Sequence, residues 1–350
     1  MSVRATIADL TDDRVIYRDL QPCDPTLPSL PMLRAELGLP VNVTPRKRDV
    51  AYARVIVALA RAAQALRNGP PLTTVAVIGD TENDRLLTVH LQSLNEVATY
   101  GFIGVDRPVA PATLEWNDVV ATATRWALVH EWAAELTARG VNWSQTAVLI
   151  DIDKTLLGPR GRSDGAIDEA RAEAALSVAT ELLGDQFDRA LFRRNYTELC
   201  RREWHALTLD NQDYTVAIAL FATIAVFDLP AIEVQLAAGL SPTLLELLIA
   251  AQQVPAELQP LRKQLIERIE AGDPTPFIQF RRAELVTTAA RMADGRLTLS
   301  NELFRLGRAL QEQGALLLAA SDKPAESALP SPEQAAAGLL PLHRIPAILG

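Results

Sequence analysis

The chain has 350 residues, of which 49% are hydrophobic, 5% aromatic and 22% charged, with a formal net charge of −9. That length can bury one large core and an accessory domain, and the acidic balance excludes nucleic acid as the main partner, the cluster Arg46-Lys47-Arg48 being too short to supply a basic face. Cys23 and Cys200 stand far apart, so no disulfide framework is implied and a reducing cytoplasm suits the chain. The N-terminus lacks an apolar signal core. The longest apolar run, Val216 to Phe227, is shorter than a bilayer span and lies between Asp213 and Asp228, so it reads as a buried helix and no membrane is expected as a partner.

In chain order, the opening RATIADLTDDRVIYRDL alternates around an acidic turn and predicts a hairpin, and the proline-rich CDPTLPSLPM predicts a surface connection. In VTPRKRDVAYARVIVALARAAQAL, Lys47 stands just before a strong helical pattern with Asp49 at the cap position. Strands are expected at 74–79, 101–105, 146–151, 315–320 and 345–349, and a long helical segment at about 112–139. The first strand, in TTVAVIGDTENDRLL, runs into Gly79 and Asp80. Gly79 fits a tight turn, and Asp84 begins or caps the following helix.

The third strand carries the most chemistry. In TAVLIDIDKTLLG, the apolar run Ala147 to Ile150 ends in Asp151, with Asp153 two residues on. A short continuous apolar run reads as a buried parallel strand, and ligands bind outside the carboxyl ends of such strands. Two carboxylates placed there repel each other unless a cation, a proton or a phosphate-binding role holds them. From Leu156 to about Arg296 the pattern is almost wholly helical. A helix over Leu299 to Gln313 then leads to GALLLAASDKP, an apolar strand ending in Ser321.

Asp151-Ile152-Asp153-Lys154-Thr155 resembles the nucleophile signature of the haloacid dehalogenase-like (HAD) phosphohydrolases, and Gly79-Asp80 with Asp84 resembles their metal-binding motif. Ser321 matches the family's small hydroxyl residue. Lys47 matches its lysine, with Arg46 or Arg48 as alternatives for the cation. The order here is lysine, acidic pair, nucleophile, serine, which is a rotation of the family order. A single cut between the serine and lysine segments explains it, so the resemblance implies a circularly permuted domain. The implied fold is α/β: a Rossmann-like parallel sheet with helices on both faces and an inserted α-helical cap. The core would take residues 1–157 and 298–350, and the cap 158–297.

The resemblance also implies roles. Asp151 attacks phosphorus and forms an aspartyl-phosphate, Asp153 is the general acid and base, and Ser321 and Lys47 hold the phosphoryl oxygens. Mg²⁺ is bound by Asp151, the backbone carbonyl of Asp153, and Asp80, with Asp84 direct or through water. A carboxylate at 153 favours phosphoryl transfer over dehalogenation. Lys154 stands where the family most often has glycine; it could lower a carboxylate pKa or point to solvent. Substrate-binding candidates are Thr155, Arg160 and Arg162, the arginines fitting a substrate anion or a solvated basic turn. Trp204 and His205 are further candidates, from a polar-aromatic stretch that also holds Tyr196, Asp210, Asn211, Asp213 and Tyr214 and suits helix capping equally. The expected activity is Mg²⁺-dependent hydrolysis of a small phosphorylated metabolite. A phosphomutase and a catalytically silent binding protein are the alternatives, and apolar cap helices allow pairing into a homodimer.

Overall fold

The computed structural model describes residues 3–41, 43–184 and 187–350. Its strands are β1 (Arg4–Ala5), β2 (Val15–Ile16), β3 (Thr74–Gly79), β4 (Ala98–Gly104), β5 (Leu114–Asn117), β6 (Val120–Ala123), β7 (Thr146–Ile150), β8 (Leu316–Ala320) and β9 (Ala347–Ile348). Seven of them form one sheet in the order β2-β8-β7-β3-β4-β6-β5, parallel throughout except for β5. The protein is therefore α/β with a mostly parallel sheet.

Both faces of that sheet are covered, which is why its central strands are apolar without alternation. Val75, Val77, Ala147, Leu149, Leu316 and Leu318 pack on one side against Tyr52, Val55, Ile56 and Leu59 of the helix Val50–Leu66 and Leu87 and Leu91 of the helix Glu82–Ser93. Phe102, Trp126 and Trp132 form an aromatic cluster, the Phe102 centroid lying 6.2 Å from that of Trp126 and 5.7 Å from that of Trp132 with the rings tilted. Each fully buried aliphatic side chain contributes about 1.5–3 kcal/mol, so these strands are the stable frame on which the loops at their carboxyl ends rest.

Two local expectations change. The N-terminal segment is no hairpin: β1 pairs antiparallel with β9, while β2 pairs parallel with β8, and the short helix Ala8–Thr11 separates them. The segment 112–139 is helical only from Trp126, in a 3-10 turn that leads into the helix Val129–Ala138; before that β5 and β6 form an antiparallel hairpin. Asp118 turns that hairpin with a left-handed φ of 55°, and the Trp, Val and Thr side chains flanking it suit a strand better than a helix. β9, within the strand expected at 345–349, pairs with β1 in a small two-stranded sheet.

The chain separates into two units, Met1–Asp168 with Ala289–Leu329 and Gly338–Gly350, and Glu169–Thr288 with Pro330–Ala337. These boundaries differ from 157 and 297 because both fall inside helices, Gly165–Leu183 and Ile278–Asp294, where composition shows no break. The second unit is built of helices around its own core of Phe192, Leu220, Phe221, Leu244, Phe277 and Phe280. Of the apolar run Val216 to Phe227 expected as a buried helix, Val216 to Thr223 lies in the helix Gln212–Thr223 and Ile224 to Phe227 lies beyond its end.

Candidate functional site

The sheet order puts three chemically important positions side by side. β8, β7 and β3 are parallel neighbours, and the residues that follow them are Ser321, Asp151 and Asp80. The ladder between β3 and β7 even continues past the strand, as Asp151 N–H donates to Ile78 O at 2.8 Å. Oxygens of Asp80, Asp84 and Asp151 all lie within 4.8 Å of one another.

Lys47 closes this cluster. Its Nζ donates to Asp84 Oδ1 at 2.8 Å and to Asp151 Oδ1, and its side chain is 3% exposed. Of the three adjacent cations only Lys47 points inward; Arg48 is exposed and Arg46 half-buried. The turn that aims it is built by Asp49, whose carboxylate accepts Arg46 N–H at 2.7 Å rather than capping the helix Val50–Leu66.

Of the two expected places, Asp84 caps rather than begins its helix: it sits at the third position, and its side chain takes the backbone N–H of the N-cap Thr81. Its Oδ2 accepts Thr81 N–H at 3.2 Å, Thr81 Oγ1–H at 2.7 Å and Asp80 N–H at 3.3 Å. That reach explains Gly79 by close approach rather than by a turn: a Cβ there would lie 2.5 Å from Asp84 Oδ2 and closer still to its Cβ and Cγ. Asp80 is held by Thr155 Oγ1 at 3.1 Å and by the Arg160 guanidinium. Thr155 and Arg160, expected to meet substrate, thus orient a carboxylate in this structure. Arg162 is likewise engaged, by Asp106 at 2.7 Å and Glu302 at 2.9 Å.

The loop after β7 folds tightly, with Lys154 N–H donating to Leu157 O at 2.8 Å and Leu157 N–H to Ile152 O at 2.9 Å. Its tip is Lys154, with φ 63°, a left-handed conformation that glycine adopts most easily. The Lys154 ammonium turns to Asp168, 2.8 Å away, and not to the neighbouring carboxylates. A second lysine reaches the dyad instead. Lys323 Nζ lies 3.2 Å from Asp153 Oδ2, and Lys323 N–H donates to Ser321 Oγ at 3.1 Å. Sequence reasoning passed over Lys323; its signal was a cation two residues past Ser321, in SDKP.

Charge is short of balance here. Burial raises the Asp151 carboxyl pKa well above its usual value, Lys47 opposing and the other two carboxylates reinforcing the shift. Burial also raises Asp80, with Arg160 opposing. For Asp84, burial is outweighed by Lys47, so its pKa is lowered. Burial would lower Lys47, but the charges of Asp151 and Asp84 win and hold it protonated. Such a set of hard, anionic oxygens could hold a metal ion. Lys47 engages Asp151 through Oδ1, while both oxygens of Asp80 and both of Asp84 are engaged by donors.

Trp204 and His205 belong to the helical unit. Trp204 is packed in that unit's core, 3% exposed, with Nε1 donating to Glu198 Oε1 at 3.3 Å, so it lines no surface. His205 is half-buried, its Nε2 3.7 Å from Asp210 Oδ1. Asn211 caps a helix, Tyr196 OH donates to Gln212, and Asp213 is wholly buried against Arg281. No helix among the described residues is long and apolar enough to cross a membrane. The sequence matches no protein-family model, and neither a curated protein nor a solved structure matches the chain.

Proposed function

We propose that this chain is a Mg²⁺-dependent phosphohydrolase of the haloacid dehalogenase-like type, circularly permuted, acting on a small phosphorylated metabolite. The observation that carries the reading is the meeting of Asp80, Asp84, Asp151 and Lys47 at the carboxyl ends of neighbouring parallel strands. Adjacent parallel strands present the same edge wherever the chain is cut, so the rotated motif order is compatible with one site. The helical unit, whose larger part lies in the chain between β7 and β8, is read as the cap.

In this mechanism an Asp151 oxygen bonds to phosphorus as the ester P–O bond breaks, and Asp153 gives its proton to the departing oxygen. Asp153 then takes a proton from water, whose oxygen attacks phosphorus and frees Asp151 with release of phosphate. Lys47 and Ser321 hold phosphoryl oxygens. Asp80, Asp151 and the Asp153 carbonyl, with Asp84 behind, would hold Mg²⁺, which would neutralise the crowded oxygens.

The test is phosphate release from a panel of phosphomonoesters, with and without Mg²⁺, by wild type and Asp151→Asn. Turnover that needs Mg²⁺ and drops about 10³-fold or more in the variant is expected. A folded wild-type protein that turns over no ester would overturn the reading.

A further inference from the structure

Lysine is rarely buried unless paired, because removing an ammonium from water is costly. This fold buries two of them beside one dyad. Lys47 pairs with Asp151, and Lys323, its side chain 1% exposed, pairs with Asp153, which is 17% exposed. The Lys323 backbone is fixed from several sides. Its N–H donates to Ser321 Oγ at 3.1 Å, its carbonyl accepts Arg18 N–H at 3.0 Å, and Arg18 Nε holds the preceding carbonyl, of Asp322, at 2.6 Å. Pro324 follows, with its restricted φ, and opens a 3-10 turn at Ala325–Ser327. A long, flexible side chain is thereby rooted in a rigid turn at the end of β8, one strand away from the carboxylate it meets.

Resting on the phosphohydrolase reading, we propose that Lys323 is a positioning residue that holds the Asp153 carboxyl in the orientation needed to protonate the leaving group. The ammonium on Oδ2 restricts rotation of the carboxyl group. Asp153 then delivers its proton to the ester oxygen as the P–O bond breaks and the Asp151 oxygen–phosphorus bond forms. Ser321, accepting the Lys323 N–H, keeps its own hydroxyl proton for a phosphoryl oxygen. The two lysines divide the dyad between them, Lys47 serving the nucleophile and Lys323 the proton donor. Lys154, although adjacent to Asp153 in sequence, is committed to Asp168 and does not share this role.

Leaving-group chemistry separates this role from a merely structural one. An alkyl phosphate needs its departing alkoxide protonated, whereas p-nitrophenolate departs with little help. In the full-length protein with Mg²⁺, Lys323→Met is expected to lower kcat on an alkyl phosphomonoester about 100-fold. On p-nitrophenyl phosphate the loss should be smaller by roughly tenfold, with KM changed little on either ester. Asp153→Asn should show the same ester dependence, and Lys323→Arg, which keeps the charge, should recover part of the alkyl ester rate. If Lys323→Met does not fold, Lys323→Arg carries the test alone, because a displaced cation should still cost more on the alkyl ester. Equal losses on the two esters, or none, would overturn the positioning role while leaving the phosphohydrolase reading intact. Wild-type protein inert on both esters would overturn both.

Discussion

Gly79→Ala makes opposite predictions depending on whether the close approach of Asp84 matters. Gly79 is the last residue of β3 and does not have a positive φ, so backbone propensity alone favours the substitution by about 0.4–1 kcal/mol, through a less flexible unfolded chain. The structure argues the reverse. The new methyl carbon would lie 2.5 Å from Asp84 Oδ2 and nearer to Asp84 Cβ and Cγ, so Asp84 must move. Overpacking of this kind costs about 1–3 kcal/mol, and losing the bonds from Asp84 to Thr81 at the helix start costs about 0.5–2 more. The net expectation is a loss of about 2 kcal/mol, and more where Lys47 is also left without its 2.8 Å partner. For a unit of this size, that lowers the melting temperature by about 4–8 °C. Urea unfolding followed by tryptophan fluorescence measures it, in a Trp204→Phe background so that the signal comes from the unit that contains the sheet. Gly165→Ala is the control: a Cβ there meets nothing within 4 Å, and a gain of a few tenths of a kcal/mol is expected. A Gly79→Ala protein as stable as wild type would refute the close-approach reasoning.

In the helical unit, Arg281 donates to Asp213 at 2.7 Å and to Glu284 at 2.9 Å with all three buried. Arg281→Met should cost about 3–5 kcal/mol by stranding the carboxylates, and a loss below 1 kcal/mol in a denaturant titration would contradict that. Lys154→Gly should stabilise the protein by up to about 1 kcal/mol, since it relieves a left-handed φ of 63° and gives up only an ion pair to an exposed Asp168. A shift of the urea midpoint in the destabilising direction would show that the pair outweighs the strain. Burial lowers the pKa of His343, against a hydrogen bond to Asp13 at 3.0 Å that raises it. The unfolded chain therefore takes up this proton first, and stability declines as pH falls through the unfolded value of about 6.5 toward the folded one. His343→Gln should flatten that slope between about pH 7 and 5; an unchanged slope in pH-dependent melts would assign it to another group.

Asp151 and Asp80 were legible in the chain because each closes an unbroken apolar run, Asp151 directly and Asp80 after Gly79, and a run with no alternation reads as a strand buried on both faces. The helices of the middle segment showed themselves through their own periodicity in the same way. The N-terminal strands and the hairpin at 114–123 were not legible. Two-residue strands carry no period, and β1 and β2 are strands only because β9 and β8, more than 300 residues away, supply their hydrogen-bond partners.

At the site, the chain alone named the carboxylates and favoured Lys47 with Arg46 and Arg48 as alternatives, and said nothing of Lys323. Which cation meets which carboxylate depends on the order of strands in the sheet. β8 lying next to β7 brings Lys323 to Asp153, and the Asp49 turn at the head of the helix beside β3 brings Lys47 to Asp84 and Asp151. Gly79 shows the same division: its place after a strand was local information, but the reason no side chain fits there is an aspartate five residues on whose path is set by the helix it caps. Local apolar patterns decide where a strand stops, because burial acts on each segment as it stands. Ion pairs join groups remote in sequence, and only the packed sheet determines which of them are close enough to pair.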